Sequence, residues 1–172
     1  MKKIGIIITL ILLVVSLVGC ENSESKKAVE QGKVEMKNKE YDKALSSFKV
    51  ALDKDSGNEE AKRLTTLINN YNKANVEFEK DNIDDANKIM NQIDEGTIED
   101  SIKNDIDDLK AKIHEQDKID KEIVHIKELI KDKKYEESKK SIDKIDSDKL
   151  TNKDKKEIDE LKDEIYLGLL QI

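Results

Sequence analysis

Apolar residues recur every three or four positions along most of this chain, with polar residues between them. One stripe consists of Tyr41, Ala44, Leu45, Phe48, Ala51 and Leu52, which is the spacing of one buried helix face. A longer stripe runs from Ala61 to Phe78 and follows a turn sequence at residues 55–58. Because no window alternates apolar and polar residues and the chain lacks proline, the pattern predicts an all-α protein.

The stripes predict alternating short and long helices. Their expected ranges are 25–38, 41–54, 59–80, 83–94, 98–132, 135–145 and 151–170. The apolar stripe of the fifth element lapses near Gln116 and Asp117, so this element is either one helix or two. Thr151 and Asp154 predict a capping box at the start of the last helix.

The segment that begins at Ile83 is repeated 52 residues later. In the first part of the segment, the matching positions are Ile83 and Tyr135, Ala86 and Ser138, Met90 and Ile142, and Ile93 and Ile145. In the second part, they are Ile106 and Ile158, Leu109 and Leu161, and Ile113 and Ile165. An offset of 42 relates the first four residues to Tyr41, Ala44, Phe48 and Ala51. We therefore expect three related units that bury their apolar stripes by stacking on one another.

The first unit carries Gly32, Tyr41, Ala44, Phe48 and Ala51 in the order Gly-x8-Tyr-x2-Ala-x3-Phe-x2-Ala. This motif resembles the tetratricopeptide repeat, a pair of antiparallel helices. The resemblance implies that Gly32 and Ala44 let the paired helices approach closely, and that Phe48 and Ala51 fill the gap to the next helix. It covers residues 25–58 well, residues 67–94 loosely and residues 119–145 barely. It implies an array of antiparallel helical hairpins, an architecture commonly used for protein binding.

The first 20 residues follow a different pattern. Lys2 and Lys3 precede an apolar run of 15 residues that ends at Val18 and is followed by Gly19 and Cys20. This run is too short to cross a hydrocarbon core of about 30 Å as a relaxed helix, and its layout is that of an export signal. The alternative is an uncleaved N-terminal membrane helix.

The sequence Leu17-Val18-Gly19-Cys20 resembles the lipobox of bacterial lipoproteins. The resemblance implies cleavage between Gly19 and Cys20, a diacylglyceryl group on the Cys20 thiol, and anchoring at the extracytoplasmic face of the cell membrane. The expected organisation is a signal peptide at 1–19, a lipidated cysteine and polar tether at 20–25, and a helical-repeat domain at 26–172. The chain is rich in Lys, Ile, Asn and Asp and lacks Pro and Trp, which favours a Gram-positive source.

Charge and motif content exclude several function classes. The net charge is −7 and no basic cluster contains interleaved aromatic residues, so we expect no nucleic-acid binding. His114 and His125 would be roughly 16 Å apart on one helix, too far to bind the same metal ion. The acidic cluster Asp105, Asp107 and Asp108 is expected to be solvated surface. No catalytic constellation or phosphate loop is present, so neither enzymatic activity nor a metal or cofactor is expected.

These observations favour a membrane-anchored interaction module or scaffold with a protein partner. A self-associating rod or spacer is the alternative, because the narrow stripe of residues 98–132 suits a coiled coil. A small-ligand-binding lipoprotein is less expected, because the chain has few aromatic residues and no convergent polar motif.

Overall fold

The structure is a computed structural model that describes residues 23–94, 96 and 98–171. Within these residues the chain forms seven α-helices and no strand, which confirms the predicted all-α class. The helices are α1 (23–37), α2 (Tyr41–Lys54), α3 (Glu59–Glu79), α4 (Ile83–Met90), α5 (Asp100–Lys131), α6 (Tyr135–Ile142) and α7 (Asn152–Leu169). A 3₁₀ turn at Ser147–Lys149 precedes α7. Short and long helices alternate from α3 onward.

The two shortest helices end earlier than their apolar pattern predicts. The ranges 83–94 and 135–145 were expected, whereas α4 ends at Met90 and α6 at Ile142. After Met90 the N–H groups of Gln92 and Ile93 donate to carbonyls only three residues back, so the chain tightens into a turn. Ile93 remains buried, and the apolar spacing therefore continues past the end of the helix.

The fifth element is one helix of 32 residues and does not break at Gln116. The apolar stripe lapses there because Gln116 is a buried polar residue. Its Nε2 donates to the Oδ2 atom of Asp154, at 3.0 Å, and to Asp120. Asp154 is only 2 % exposed and also accepts hydrogen bonds from the N–H and hydroxyl of Thr151. The predicted capping box of α7 is thus confirmed, and its carboxylate also joins α7 to α5.

The internal repeat is visible in the backbone. Among the described residues, three that are not glycine have positive φ: Lys39 (60°), Asp81 (64°) and Lys133 (60°). They are 42 and 52 residues apart, the two offsets found in the sequence. Each donates its N–H to the carbonyl three residues back, and the following residue donates to the carbonyl five residues back. This is the Schellman arrangement that ends a helix, so α1, α3 and α5 end in the same way.

The short helices that follow these turns bury equivalent positions. Each begins with a bulky residue, has a fully buried small residue three positions later, and has a bulky buried residue four positions after that. The three sets are Tyr41, Ala44 and Phe48; Ile83, Ala86 and Met90; and Tyr135, Ser138 and Ile142. Ser138 can replace alanine because its hydroxyl donates to the Lys134 carbonyl, at 2.9 Å.

The chain divides into two compact units, and the boundary lies within α5, between Lys110 and Ala111. In unit 1, which ends at Lys110, α3 packs against α2 and α4. In unit 2, α6 packs against α7, and the core consists of Ile119, Ile123, Ile126, Ile130, Ile142, Ile158, Leu161 and Ile165. An offset of 52 relates Ala111, the first residue of unit 2, to Glu59, the first residue of α3.

We expect the Lys133→Gly variant to be more stable than the parent. The left-handed conformation costs an ordinary residue about 1–2 kcal/mol, and the greater freedom of glycine in the unfolded chain offsets about half of the gain. The expected net increase in unfolding free energy is therefore roughly 0.5–1 kcal/mol, measured by urea denaturation. Lys133→Ala is the control, because it keeps the β-carbon and should give no gain. A glycine variant no more stable than the alanine variant would contradict the strain argument.

Candidate functional site

The proposed lipidation site lies at the N-terminal end of the chain. Gly19 and Cys20 are outside the described residues. The expected tether includes Ser25, but the structure places residues 23–25 in α1. Ser25 is fully buried, donates its hydroxyl to the Ala51 carbonyl (2.9 Å) and accepts from the side-chain amide of Asn58 (2.8 Å). Asn58 also caps α3, so Ser25 connects α1 to the next two helices and is not part of a tether.

The residues assigned to repeat packing lie together in unit 1. Ala44, Phe48 and Ala51 of α2 are fully buried, and Tyr41 is half-buried. A β-carbon added to Gly32 would overlap the ring of Phe48, so this position of α1 accepts no larger side chain without movement of that ring.

Gly168 of α7 is a packing residue that the sequence analysis missed. A β-carbon there would overlap the ring of Tyr135, the first residue of α6. A glycine inside a helical apolar pattern is the signal that could have identified it, because glycine costs a helix interior about 1 kcal/mol relative to alanine.

A polar cluster at the first hairpin turn is a second feature that the sequence analysis missed. Tyr41 donates its hydroxyl to Oδ2 of Asp105 at 2.5 Å, and the Lys39 ammonium binds Oδ1 of the same carboxylate. The ring of Tyr71 contacts Tyr41 edge-on, with centroids 5.4 Å apart. The Asp105 side chain is only 13 % exposed. It was expected on the solvated surface, whereas it joins α5 to the turn between α1 and α2.

The protonation states of this cluster follow from burial and from its hydrogen bonds. Burial raises the pKa of Tyr41, and the hydrogen bond to Asp105 raises it further. Burial also raises the pKa of Tyr71, and the Asp105 charge adds to this. Burial alone would raise the pKa of Asp105, but hydrogen bonds from Lys39 and Tyr41 outweigh burial and lower it. Each carboxylate oxygen of Asp105 accepts one of these hydrogen bonds, so Asp105 fixes the hairpin turn to α5.

We expect Tyr41→Phe to lower stability at neutral pH by about 1 kcal/mol, the typical value of one hydrogen bond. The lowered pKa of Asp105 stabilises the fold above its unfolded pKa of about 3.9, and this contribution is lost as pH falls through the folded pKa. The variant should therefore lose less additional stability on acidification. Thermal unfolding between neutral and acidic pH measures both effects.

Tyr71→Phe is the matched control for this prediction. It removes a hydroxyl that has no hydrogen bond among the described residues and leaves the ring in place. Equal effects of the two variants, or an unchanged acid dependence in Tyr41→Phe, would contradict the assigned role of the Tyr41–Asp105 bond.

Acidic residues in the turns act as local caps. Asp55, Asp94 and Asp146 each accept a hydrogen bond from the N–H two residues later, at 2.9, 2.9 and 3.1 Å. Both histidines are exposed on α5. No group of three or more metal-binding side chains is placed to hold an ion in the part of the chain that the structure describes.

Two adjoining grooves lie along α3 in unit 1. The first lies between α3 and α4 and is lined by Asn69, Asn72, Lys73, Val76, Glu77, Asp85, Lys88, Ile89 and Gln92. The second lies between α3 and the turn after α4, and its lining includes Arg63, Thr66, Leu67, Asn70, Gln92, Ile93 and Asp94. Gln92 belongs to both, so together they form one continuous surface.

The second groove recurs in unit 2. There it is lined by Glu115, Lys118, Ile119, Glu122, Lys144, Ile145 and Asp146, together with Lys149. The first seven residues lie 52 positions after their counterparts in unit 1. The apolar floor is kept as Leu67 and Ile93 in unit 1 and as Ile119 and Ile145 in unit 2, whereas the polar rim differs.

Large apolar side chains are exposed at a few positions of the described chain. They are Val34, Val50, Val76, Val124, Tyr166, Leu167 and Leu170. The last three lie within five residues at the end of α7. Among the described residues, no helix combines the length and apolar content needed to cross a membrane.

Comparison of the chain with protein-family models, with curated proteins and with solved structures found no match.

Proposed function

We propose that this chain is a lipid-anchored, extracytoplasmic helical-repeat protein that acts as an interaction module or scaffold at the cell membrane. The recurring groove carries this proposal. Its apolar floor is kept in both units, while Arg63, Asn70 and Gln92 are replaced by Glu115, Glu122 and Lys144. Repeat proteins use a common packing frame with variable surface residues to build binding surfaces.

The proposal includes a tetratricopeptide-like arrangement of antiparallel hairpins. The identical turns at Lys39, Asp81 and Lys133 support it, as does the close contact between Gly32 and Phe48. The same small-residue position in all three short helices gives further support, because small residues let paired helices approach closely.

The lipobox-like residues and the position of α1 support membrane attachment. Three residue steps separate Cys20 from Ser23, the first described residue of α1, and fully extended they reach about 11 Å. A diacylglyceryl group on Cys20 would hold the folded part next to the bilayer, because two acyl chains are enough for stable anchoring.

We expect the native protein to carry lipid on Cys20, to fractionate with membranes and to crosslink to a specific protein in living cells. Cys20→Ser should lose the lipid mass and the crosslinked partner, because the partner is met at the membrane. Intact-mass analysis, membrane fractionation and crosslinking with mass spectrometry measure these effects.

Ser23→Ala is the control, because it alters a neighbouring residue and keeps the thiol. An unmodified Cys20 in the native protein would overturn the anchoring proposal. A correctly lipidated protein that crosslinks to no partner under several growth conditions would overturn the interaction proposal.

Self-association is a second candidate function, favoured by the exposed cluster at the end of α7. Tyr166, Leu167 and Leu170 are 64, 58 and 66 % exposed, and clustered apolar exposure is typical of an interaction site.

We expect the Leu167→Lys/Leu170→Lys variant to be monomeric if this cluster joins copies of the chain. Light scattering over a range of concentrations gives the mass of parent and variant. Val124→Lys is the control, because it charges an equally exposed apolar position elsewhere in unit 2. A parent that remains monomeric at all concentrations would eliminate the rod.

A further inference from the structure

Three large, fully buried apolar side chains of unit 1 have polar counterparts 52 residues later. The three pairs of positions are Leu64 and Gln116, Ile68 and Asp120, and Ile102 and Asp154. The polar members form one hydrogen-bonded network, because the Gln116 amide donates to Asp120 Oδ1 and to Asp154 Oδ2, both at 3.0 Å. The core of unit 2 therefore departs from that of unit 1 as one connected group.

The other apolar positions of the two units match closely. Ile158 and Leu161 of α7 share a core cluster with residues 119–130 of α5, and their counterparts Ile106 and Leu109 are buried in the first part of α5, residues 100–110. On apolar spacing alone, α7 could therefore pack on α3 as it packs on α5. Misassembly of equivalent elements, within one chain or between copies, is a characteristic failure of repeat proteins.

The polar network gives this wrong pairing a cost. Asp154 is 2 % exposed in its native place. On α3 it would face the positions of Leu64 and Ile68, so it would be buried with only the local hydrogen bonds from Thr151. A buried polar group that loses a partner is left with an uncompensated desolvation cost.

The converse pairing carries the same kind of cost. If the first part of α5 took the place of α7, in another copy of the chain, Ile102 would lie where Asp154 lies now. The Gln116 amide, on a residue that is only 6 % exposed, would then lose its hydrogen bond to Asp154. Both wrong pairings thus leave a buried polar group unsatisfied, whereas the native pairing does not.

We propose that the network of Gln116, Asp120 and Asp154 selects the correct partner helix for α7 and so prevents exchange of equivalent helices between repeats. A single buried polar residue fixes the register of coiled-coil helices in the same way. This role concerns how the repeats assemble and does not depend on the proposed function.

The test replaces the network with its unit 1 counterparts, in the triple variant Gln116→Leu/Asp120→Ile/Asp154→Ile. The midpoint of urea unfolding should be unchanged or higher, because exchange of buried polar groups for apolar ones is often neutral or stabilising. After rapid dilution from urea, the parent should return to the species present before unfolding. The triple variant should give a mixture, with a dimeric fraction that grows with protein concentration. Size-exclusion chromatography with light scattering measures this.

Crosslinking reports which helix α7 has joined. Lys127 of α5 pairs with Glu157 of α7, and Asn75 of α3 is the counterpart of Lys127. In the full Cys20→Ser chain in mild detergent, Lys127→Cys/Glu157→Cys reports the native pairing and Asn75→Cys/Glu157→Cys the wrong one. With bismaleimidoethane as the probe, the triple substitution should raise the yield of the second crosslink severalfold after refolding.

Asp154→Asn is the matched control. It removes the charge but keeps an oxygen for the hydrogen bonds from Thr151 and Gln116, and it remains polar against Leu64. This variant should refold to one species, as the parent does.

Three results would overturn the proposal. The first is a triple variant that refolds to a single species with no more of the wrong crosslink than the parent. The second is a lower urea midpoint or loss of folding in the triple variant, because the network would then serve stability. The third is wrong pairing in Asp154→Asn equal to that in the triple variant, because the hydrogen-bonded network would then have no part in the selection.

Discussion

The fold depends on close approach between helices that have very narrow apolar faces. Charged residues make up 41 % of the chain, so a short helix such as α4 contributes only Ile83, Ala86 and Met90 to the core. A small residue at the middle position lets the neighbouring backbone approach, and larger residues on either side fill the space. The same constraint acts on two helical glycines. Gly32 of α1 lies against the ring of Phe48, and Gly168 of α7 lies against the ring of Tyr135. A methyl group added at these positions has no space, because interiors are close-packed.

The two units meet this constraint with different chemistry at a few equivalent positions. Leu64 and Ile102 are fully buried in unit 1, and their counterparts 52 residues later are Gln116 and Asp154. The polar pair is tolerated because the Gln116 amide and Thr151 supply hydrogen bonds to the carboxylate. Such a pair adds little net stability, but loss of one partner leaves a buried polar group unsatisfied, which is costly. Unit 2 therefore gains a buried hydrogen bond between Gln116 and Asp154, which forms in only one register of α7 against α5.

The helices could be predicted from the sequence because each apolar stripe and each turn depends on residues that are close together in the chain. Most helix ends lie within two residues of the expected positions, and the offsets of 42 and 52 recur in the turns at Lys39, Asp81 and Lys133. The missed features are contacts between distant residues. Asp105 is 64 residues from Tyr41, and Asp154 is 38 residues from Gln116. In a chain so rich in carboxylates, sequence alone gives no means to distinguish a buried carboxylate from a solvated one.

Packing constrains the core positions of the repeat more strongly than the rim positions of the recurring groove. Most core positions keep their apolar character across the repeat because each must fit its neighbours, and among the large side chains Leu64, Ile68 and Ile102 are the exceptions. Rim positions of the recurring groove change from arginine to glutamate and from glutamine to lysine, since packing does not restrict them. The chain has a net charge of −7, which becomes more negative when Lys2 and Lys3 leave with the proposed signal. An anionic bilayer repels such a domain. A lipid on Cys20 would therefore supply the membrane attachment that electrostatic attraction does not.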